Sequence, residues 1–231
     1  MIYTYAFLLS PPPKAGIAGI GQRVEFVTVG TIAAAVEQGV DVQRLKAESE
    51  DLLLQAVLDH ERVVQSLFRL QAVLPLRFGT AFLSVEHLMD YLKTMQLVLG
   101  ERLQQLEGYS EFLLEAVRSD PPASAEESDS IGGLAYLEAK KERYRVAQRL
   151  QESILREAEQ VWQLVNSYPS YRVPTNDPKH TRVYLLLHGE ERTHVQAVME
   201  HWQGGHSQWQ ISWSQPLPPY HFVSATETSS P

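Results

Sequence analysis

Four of the eight histidines in this chain fall close together and are the first candidates for metal binding. They are His188, His194, His201 and His206, separated by six, seven and five residues. Two histidines that bind zinc from one helix lie four residues apart, as in an HExxH motif, and none of these intervals has that length. The spacing predicts histidines on the wet side of a small helix and no metal site.

Three glycines near the amino terminus, Gly16, Gly19 and Gly21, are the second candidate, for a backbone loop that holds a phosphate. Such loops lead directly into the first turn of a helix, whose free N–H groups bind the anion. Here the next segment is "VEFVTV", which is rich in β-branched residues and is typical of a strand. We therefore expect a plain loop and no nucleotide cofactor.

The stretch "VLPLRFGTAF", residues 73 to 82, is the third candidate because it places an arginine and a glycine inside an apolar run. Pro75 has no N–H to donate, so it is expected at an edge or irregular position. Gly79 suits a turn from a strand to a helix. An arginine in such surroundings needs carboxylate or carbonyl partners. We expect Arg77 to brace the junction of this strand with the helices on either side.

No motif in the chain specifies a catalytic centre. The sequence contains no GxSxG elbow and no Walker loop, and its spacing nominates no triad. Glu61, beside His60, is expected on a solvated helix face, and the acids at 126, 127 and 129 are expected in a solvated loop. We therefore predict no catalytic residue and no cofactor-binding residue.

Composition narrows the class of protein. With 231 residues, 44% hydrophobic and 21% charged, the chain has the make-up of an ordinary globular protein. Its net charge of -8 argues against nucleic-acid binding, which needs a concentrated basic face. It has no cysteine, no apolar run of membrane-spanning length and no signal-peptide pattern at its start. A cytoplasmic protein without a membrane partner is expected.

The first half of the chain is expected to combine strands with two helices. Residues 2–9 and the segment "VEFVTVGTIAAAV", which folds back at Gly30, are predicted strands. A long helix is predicted from Leu45 to Leu70, and a second helix follows Ser84, a good N-cap. The first helix is expected to turn its apolar residues inward, and these are Leu53, Leu54, Val57, Leu58, Val64, Leu67 and Phe68.

The second half is predicted to run strand, helix, short strand, strand, helix, strand. That order is typical of a split βαβ, or ferredoxin-like, domain. The longest helix is predicted from about Gly133 to Val165, with an inner face of Leu134, Leu137, Tyr144, Leu150, Ile154, Val161 and Trp162. We therefore expect an α+β protein with an N-terminal α+β domain at 1–106, a C-terminal ferredoxin-like domain at 107–223 and a flexible tail at 224–231.

Three separate stretches together resemble one family. They are "HERVVQSLFRLQAVLPLRFGTAF", "GGLAYLEAKK" and "PLPPYHFV", in that order along nearly the whole chain. The set is similar to the gas vesicle protein F/L family (GvpF/GvpL), and most like its F branch of cyanobacterial type. The matching positions are Leu74, Pro75, Arg77, Phe78, Gly79, Tyr136, Leu137, Lys140, Lys141, Pro218, Pro219, Tyr220 and Phe222. The closing stretch departs from the family pattern before the Pro218-Pro219 pair, because Gln215 and Leu217 stand where a glycine and a tryptophan are usual.

The resemblance implies a role that is not enzymatic. Members look like minor vesicle components or assembly factors, which bind the hydrophobic major shell protein and help to nucleate the vesicle while preventing aggregation. Partners are then the shell protein and other accessory gas vesicle proteins, with no cofactor. We expect the contact either at a sheet edge or in a groove beside the longest helix, near Tyr136, Tyr144 and Trp162. The alternative is a small-molecule-binding regulatory module of ferredoxin-like type, and an uncharacterised enzyme comes third.

Overall fold

The computed structural model describes residues 1–14, 16–119 and 133–223, with the backbone alone for 133–135. Contacts divide these residues into two compact units. The first comprises Met1–Glu111 and the described residues from Pro216 onward, and the second is Phe112–Gln215. The domain limits drawn from the sequence stay a prediction, and both the proposed tail and the acidic loop at 120–130 lie outside the described residues.

A sheet of antiparallel strand pairs forms the middle of the first unit. Its strands are β1 (Ile2–Leu9), β2 (Glu25–Val29), β3 (Ile32–Gln38), β4 (Val73–Pro75) and β5 (Ala81–Phe82). The order is β2-β3-β1-β4, and β5 also pairs with β1. β1 is central and almost wholly buried, which explains why its sequence is an apolar run without alternation. The predicted reversal at Gly30 is confirmed, since this glycine has a positive φ of 57° between β2 and β3.

Three helices accompany this sheet: α1 (Val42–Glu48), α2 (Glu50–Phe68) and α3 (Val85–Gln105). The single long helix predicted from Leu45 to Leu70 was wrong at its start. Ser49 has extended backbone, ends α1 and caps α2, its hydroxyl accepting a hydrogen bond from the N–H of Asp51. The predicted capping of α3 by Ser84 is confirmed, because the Ser84 hydroxyl accepts from the N–H of His87.

The buried face of α2 also differs from the predicted one. It consists of Ala56, His60, Val63, Val64 and Leu67. Leu54 and Leu58 are exposed, by 58% and 54% of their surface, although they were expected to point inward. The error has a physical cause: the centre of the buried face is a histidine, so a search for apolar spacing places the stripe to one side of its true position.

The second unit contains four strands and two helices. They are β6 (Tyr109–Arg118), which begins in the first unit, α4 (Gly133–Val165), β7 (Ser170–Arg172), β8 (His180–His188), α5 (Gly189–Gly205) and β9 (Trp209–Trp213). The sheet order is β7-β8-β6-β9, with β7 antiparallel to β8 and β6 antiparallel to β9. The predicted combination of helices and strands is confirmed, and the strand pairs are antiparallel. Trp209, on β9, is fully buried in the core.

Among the described side chains of α4, those near its C-terminal end pack on this core. Ile154, Ala158, Val161 and Val165 are buried there, and Trp162 packs against them. Leu137, Tyr144 and Leu150 are exposed by 60%, 67% and 40%, so their predicted place on the inner face was wrong. The side chain of Leu134 lies outside the described residues. Within the described ranges, no helix is long and apolar enough to cross a membrane.

Candidate functional site

A chain of hydrogen bonds runs through the core of the first unit and joins α2 to the segment after β4. The His60 ring is fully buried, and its Nε2 lies 3.0 Å from the carbonyl oxygen of Leu76. A carbonyl only accepts, so Nε2 carries the hydrogen and Nδ1 is the acceptor. The Tyr3 hydroxyl therefore donates to Nδ1, 2.8 Å away, while accepting from the N–H of Gly79 at 3.2 Å. His60 and Tyr3 thus hold both sides of the turn that follows β4.

Burial and ring packing keep this histidine neutral. Burial lowers the pKa of His60 to about 4 and raises that of the Tyr3 hydroxyl to about 12. The His60 ring is stacked on Tyr5, with centroids 5.3 Å apart, and meets the edge of Phe78 at 5.8 Å. A neutral imidazole enclosed by aromatic rings can orient a backbone segment. It is used here as a structural group and is not presented to a ligand.

The glycine-rich loop that resembled a phosphate site is bound by a carboxylate of the protein itself. Glu37 is 1% exposed, and its two oxygens accept from the N–H groups of Ile20, Gly21 and Gln22 at 2.7, 2.6 and 2.6 Å. The Tyr5 hydroxyl donates a fourth hydrogen bond to Glu37 at 2.5 Å. Successive backbone N–H groups of this kind form an anion-binding nest. Because Glu37 fills it, no external phosphate is needed to explain the loop.

The closing stretch returns to the first unit as a strap over α2, which we define as residues 216–223. Its Leu217 exchanges two backbone hydrogen bonds with Glu111, at 2.9 and 2.8 Å. The buried Glu111 carboxylate accepts from the N–H of His221 at 2.9 Å and lies 2.8 Å from the Nδ1 of the same residue. Pro218 and Pro219, in the middle of the strap, are buried.

Tyr220 anchors the strap at its centre. Tyr220 begins a 3₁₀ turn, Tyr220–Phe222, and packs against the core of the first unit. Its hydroxyl is buried without a hydrogen bond of good geometry, and the nearby Glu61 carboxyl belongs to α2. Burial raises the pKa of both groups, and the Glu61 carboxylate raises that of Tyr220 further. Glu61 was expected on a solvated helix face. The residue is exposed, but its carboxyl is turned toward the strap.

The structure brings two of the three recognised stretches together. Leu74 and Pro75 are buried at the end of β4, Phe78 packs on the core, and Gly79 has a positive φ of 91°. The bracing role expected for Arg77 was wrong. Its side chain is exposed and forms no hydrogen bond or ion pair with any residue that the structure describes.

Sequence reasoning missed Tyr3 and His60, which brace this junction, and Glu37, which holds the glycine-rich loop. His60 had a usable signal, because it continues the helical spacing of Ala56, Val63 and Leu67. Glu37 had a weaker one, because it directly follows the fully apolar run of β3. A polar residue that continues a buried pattern is a candidate for a satisfied polar core.

The third stretch lies elsewhere, on α4 of the second unit. Tyr136, Leu137, Lys140 and Lys141 are all exposed, as is every residue from 136 to 152. Tyr136, Lys140, Arg143, Tyr144 and Ala147 line a shallow surface depression of about 360 Å³. The motif positions on α4 are therefore available to a partner, whereas Leu74, Pro75 and Phe78 near Tyr3 are packed in the first unit.

The exposed side of α4 is the continuation of its buried side. Residues three or four apart share one face of a helix. Steps of this size lead back from the buried positions Val165, Val161, Ala158 and Ile154 to Leu150, Ala147, Arg143, Lys140 and Tyr136. We define Tyr136, Lys140, Arg143, Tyr144, Ala147 and Leu150 as the α4 stripe. One half of this face covers a sheet, and the other half covers nothing within the described residues.

The histidines form no metal centre in the part of the chain that is described, where no group of three His, Asp or Glu residues could hold an ion. His188, His194 and His201 are exposed, as predicted. His206 is half-buried instead, stacked on Trp202 at 4.2 Å, with its Nδ1–H donating to the Trp202 carbonyl.

Fold and site together define a mixed α/β protein that uses its buried polar groups to hold its own segments and leaves a helix face open. The family model of the gas vesicle synthesis protein GvpL/GvpF matches residues 1–224, and the chain belongs to this family. The family predicted from the three stretches is thereby confirmed. No curated protein matches the chain.

Two solved structures share the fold. The crystal structure of the gas vesicle protein GvpF from Anabaena sp. PCC7120 has a TM-score of 0.67 at 16% identity, covering 96% of this chain and 95% of that one. The crystal structure of GvpF from Microcystis aeruginosa has a TM-score of 0.66 at 15% identity, covering 96% and 98%. At such identities the likeness concerns the fold.

Proposed function

We propose that this chain is a gas vesicle assembly factor or minor vesicle component, located with the vesicle in the cytoplasm, which binds the hydrophobic major shell protein. Membership of the gas vesicle family supports the proposed association with gas vesicles. The observation that carries the binding role is the α4 stripe, where two family-motif positions, Tyr136 and Lys140, remain exposed. The proposed role is not enzymatic, since the polar clusters described above serve the protein's own backbone.

The need to keep the shell subunit from aggregating explains why an exposed helix face would be useful. A shell subunit with a free apolar face and free strand edges is prone to aggregate before it is assembled. A helix that offers tyrosines and aliphatic groups can cover an apolar face reversibly, because tyrosine contributes a large contact area while its hydroxyl stays in water. Tyr136 and Tyr144 are 50% and 67% exposed and stand two helical turns apart. Trp162, the third aromatic residue considered, packs against the core and is a weaker candidate.

Co-purification tests this proposal. The shell subunit is co-expressed with the tagged chain, and the captured amount is compared for wild type and Tyr136→Ala/Tyr144→Ala. We expect a loss of capture in the double variant and none in the control Tyr171→Ala, which removes a 46% exposed tyrosine from β7. Capture by both variants at the wild-type level would move the binding surface to a sheet edge such as β2. Absence of capture by the wild type would refute the shell-binding role.

We also propose that the second unit is a ferredoxin-like domain. Its chain order β6-α4-β7-β8-α5-β9 and its sheet order β7-β8-β6-β9 support this assignment. β8 lies between the two strands of β6-α4-β7, and β6 lies between the two strands of β8-α5-β9, so each βαβ unit is split by a strand of the other. All four tryptophans lie in it. A fragment spanning 107–223 should then unfold cooperatively when followed by tryptophan fluorescence, and a non-cooperative loss of signal would count against an independent domain.

A small-molecule-binding module is the alternative class, and it requires polar groups that converge on a cavity. The first unit has a surface depression of about 580 Å³ lined in part by Gln22, Glu37 and Arg44. The Glu37 carboxylate is already engaged by the glycine loop, and Arg44 pairs with Glu48 at 2.7 Å. This depression therefore favours the alternative less than the α4 stripe favours binding of a protein.

A further inference from the structure

The exposed half of α4 has a charge opposite to that of the protein as a whole. The chain carries a net charge of -8. Residues 136–150 contain five Lys or Arg and two Glu, which gives a net charge of +3 (5 - 2) for this segment. A basic helix segment on an acidic protein is a local feature, and it indicates a partner surface of negative charge.

The positive charge is placed beside the tyrosines. Lys140 and Arg143 lie on the α4 stripe between Tyr136 and Tyr144, and all four line the same depression. Neither cation forms an ion pair with any residue that the structure describes. The two acids of this segment, Glu138 and Glu142, lie outside the stripe, about 170° and about 130° around the helix from its centre at about 100° per residue. The stripe thus combines two unpaired cations with two aromatic rings and contains no carboxylate.

We propose that the α4 stripe binds an acidic amphipathic helix, whose carboxylates pair with Lys140 and Arg143 while its apolar side chains pack between Tyr136 and Tyr144. The inference rests on the proposed function, because the helix would belong to the shell protein. The stripe from Tyr136 to Leu150 is about 21 Å long at 1.5 Å per residue, which matches four turns of a partner helix. The partner needs carboxylates one turn apart, flanked by apolar residues two turns apart.

Other occupants fit this surface less well. A second copy docked stripe to stripe would bring four unpaired cations together without a single acid between them. An anionic membrane or a nucleic acid would have to approach a chain of net charge -8. A single acidic helix meets only the basic segment, so charge complementarity favours it.

Fluorescence anisotropy tests the proposal with a labelled synthetic peptide built from Leu and Glu at helical spacing, and with the same peptide carrying Lys in place of Glu. The acidic peptide should bind the full-length chain, and the basic peptide should not. Lys140→Glu/Arg143→Glu should weaken binding about tenfold, since each reversal replaces an attraction by a repulsion. Arg145→Glu/Arg149→Glu makes the same charge change on the opposite face and should alter the affinity less than about twofold.

The salt dependence of peptide binding provides a second, independent test. Raising NaCl from about 50 mM to about 500 mM should reduce the affinity of the wild type and have little effect on the Lys140→Glu/Arg143→Glu variant. Added salt shortens the Debye length and so weakens the attraction between exposed charges. Equal binding of the two peptides, or equal loss in both charge variants, would overturn the proposal. So would a dimer in analytical ultracentrifugation that dissociates in the Tyr136→Ala/Tyr144→Ala variant, or stripe-dependent binding to anionic vesicles.

The two proposals fail separately. If the wild type captures the shell subunit and Lys140→Glu/Arg143→Glu captures it equally well, shell binding stands and the acidic-helix inference is wrong. If the wild type captures no shell subunit, the proposed function fails. Binding of the acidic peptide would then show only a surface for some other acidic helix.

Discussion

Replacing Glu37 by Gln should destabilise the first unit strongly, although the two side chains have nearly the same shape. Each Glu37 oxygen accepts two hydrogen bonds, from Tyr5 and Ile20 on one side and from Gly21 and Gln22 on the other. All four partners are donors toward this carboxylate. A Gln amide has one accepting oxygen and one NH₂ group that only donates, so no orientation satisfies the whole set.

The magnitude follows from the better of the two amide orientations. If the Gln oxygen faces Gly21 and Gln22, the NH₂ group faces Tyr5, whose hydroxyl can rotate and accept. The same NH₂ group then opposes the N–H of Ile20, which lies 2.7 Å from the present oxygen. The part-buried Ile20 N–H keeps only its longer contact with the Tyr5 hydroxyl, at 3.1 Å, and three hydrogen bonds lose their charge assistance. Together these losses cost about 2–4 kcal/mol. The reverse orientation sets NH₂ against two donors at 2.6 Å and is worse.

The positions of the tryptophans make it possible to assign the loss of stability to one unit. All its tryptophans, Trp162, Trp202, Trp209 and Trp213, lie in the second unit. Urea unfolding followed by tryptophan fluorescence reports that unit, while amide hydrogen exchange of 16–38 reports the glycine loop and β3. We expect faster exchange at residues 20–22 and an unfolding midpoint of the first unit lowered by about 1–2 M urea.

Glu25→Gln is the matched control. It makes the same charge change on the neighbouring strand β2, where the side chain is exposed and contacts Gln38 at 3.5 Å. It should change stability by less than about 0.5 kcal/mol. If Glu37→Gln proves as mild as Glu25→Gln, the carboxylate does not hold the loop, and the N–H groups of Gly21 and Gln22 are open to an external anion.

Three further predictions concern the same structure. Tyr3→Phe should cost about 1–3 kcal/mol in urea unfolding, because it leaves the His60 Nδ1 and the Gly79 N–H without a partner; an unchanged midpoint would contradict the proposed hydrogen-bond chain. His60 has a folded pKa of about 4, below its ordinary 6.5, so the unfolded chain binds the extra proton and stability falls as pH drops from about 6.5 to 4. His60→Gln should remove this part of the slope, up to about 1.4 kcal/mol per pH unit, and a variant that keeps the full slope would show that other groups cause it. Tyr144→Ala on exposed α4 should shift the fluorescence-detected midpoint by less than about 0.5 kcal/mol, whereas Ile154→Ala on the same helix should cost about 2–5 kcal/mol; similar costs would mean that the helix is covered along its whole length.

The local pattern of residue types was sufficient to predict most of the helices and strands. β1 is an apolar run because it is covered on both faces, and Gly30 reverses the chain because its φ is positive. These are properties of a few consecutive residues. The break at Ser49 was missed even though serine is a good N-cap, because two helices in succession share one continuous periodicity.

The buried polar contacts were not predictable in the same way, because each joins residues that are distant along the chain. Tyr3 and His60 are separated by 57 positions, Tyr5 and Glu37 by 32, and Glu111 and His221 by 110. A buried polar residue is stable only beside its partner, and a single sequence does not name the partner. Arg77 shows the opposite error, since an arginine in apolar company was expected to be buried and is exposed.

The face of α4 shows a third limit of sequence patterns. Periodicity places Tyr136, Leu150 and Ile154 on one side of the helix, and the structure agrees with that spacing. It does not say which part of the face meets the protein's own sheet, so the exposed half was read as core. The same observation becomes useful once the coordinates separate the halves, because a face suited to packing that covers nothing described is a candidate for a partner.

The residues of the recognised stretches therefore fall into two groups, one packed in the first unit and one exposed on α4. Leu74, Phe78 and Tyr220 are packed in the first unit, so their substitution should lower stability, and any loss of shell binding there would follow from unfolding. Tyr136 and Lys140 are exposed, so their substitution should leave stability intact and act on binding alone. Among these five residues, a variant that loses the partner while keeping both unfolding transitions is expected from Tyr136 or Lys140. Such a separation would establish α4 as the interaction surface, because changes in the core cannot produce it.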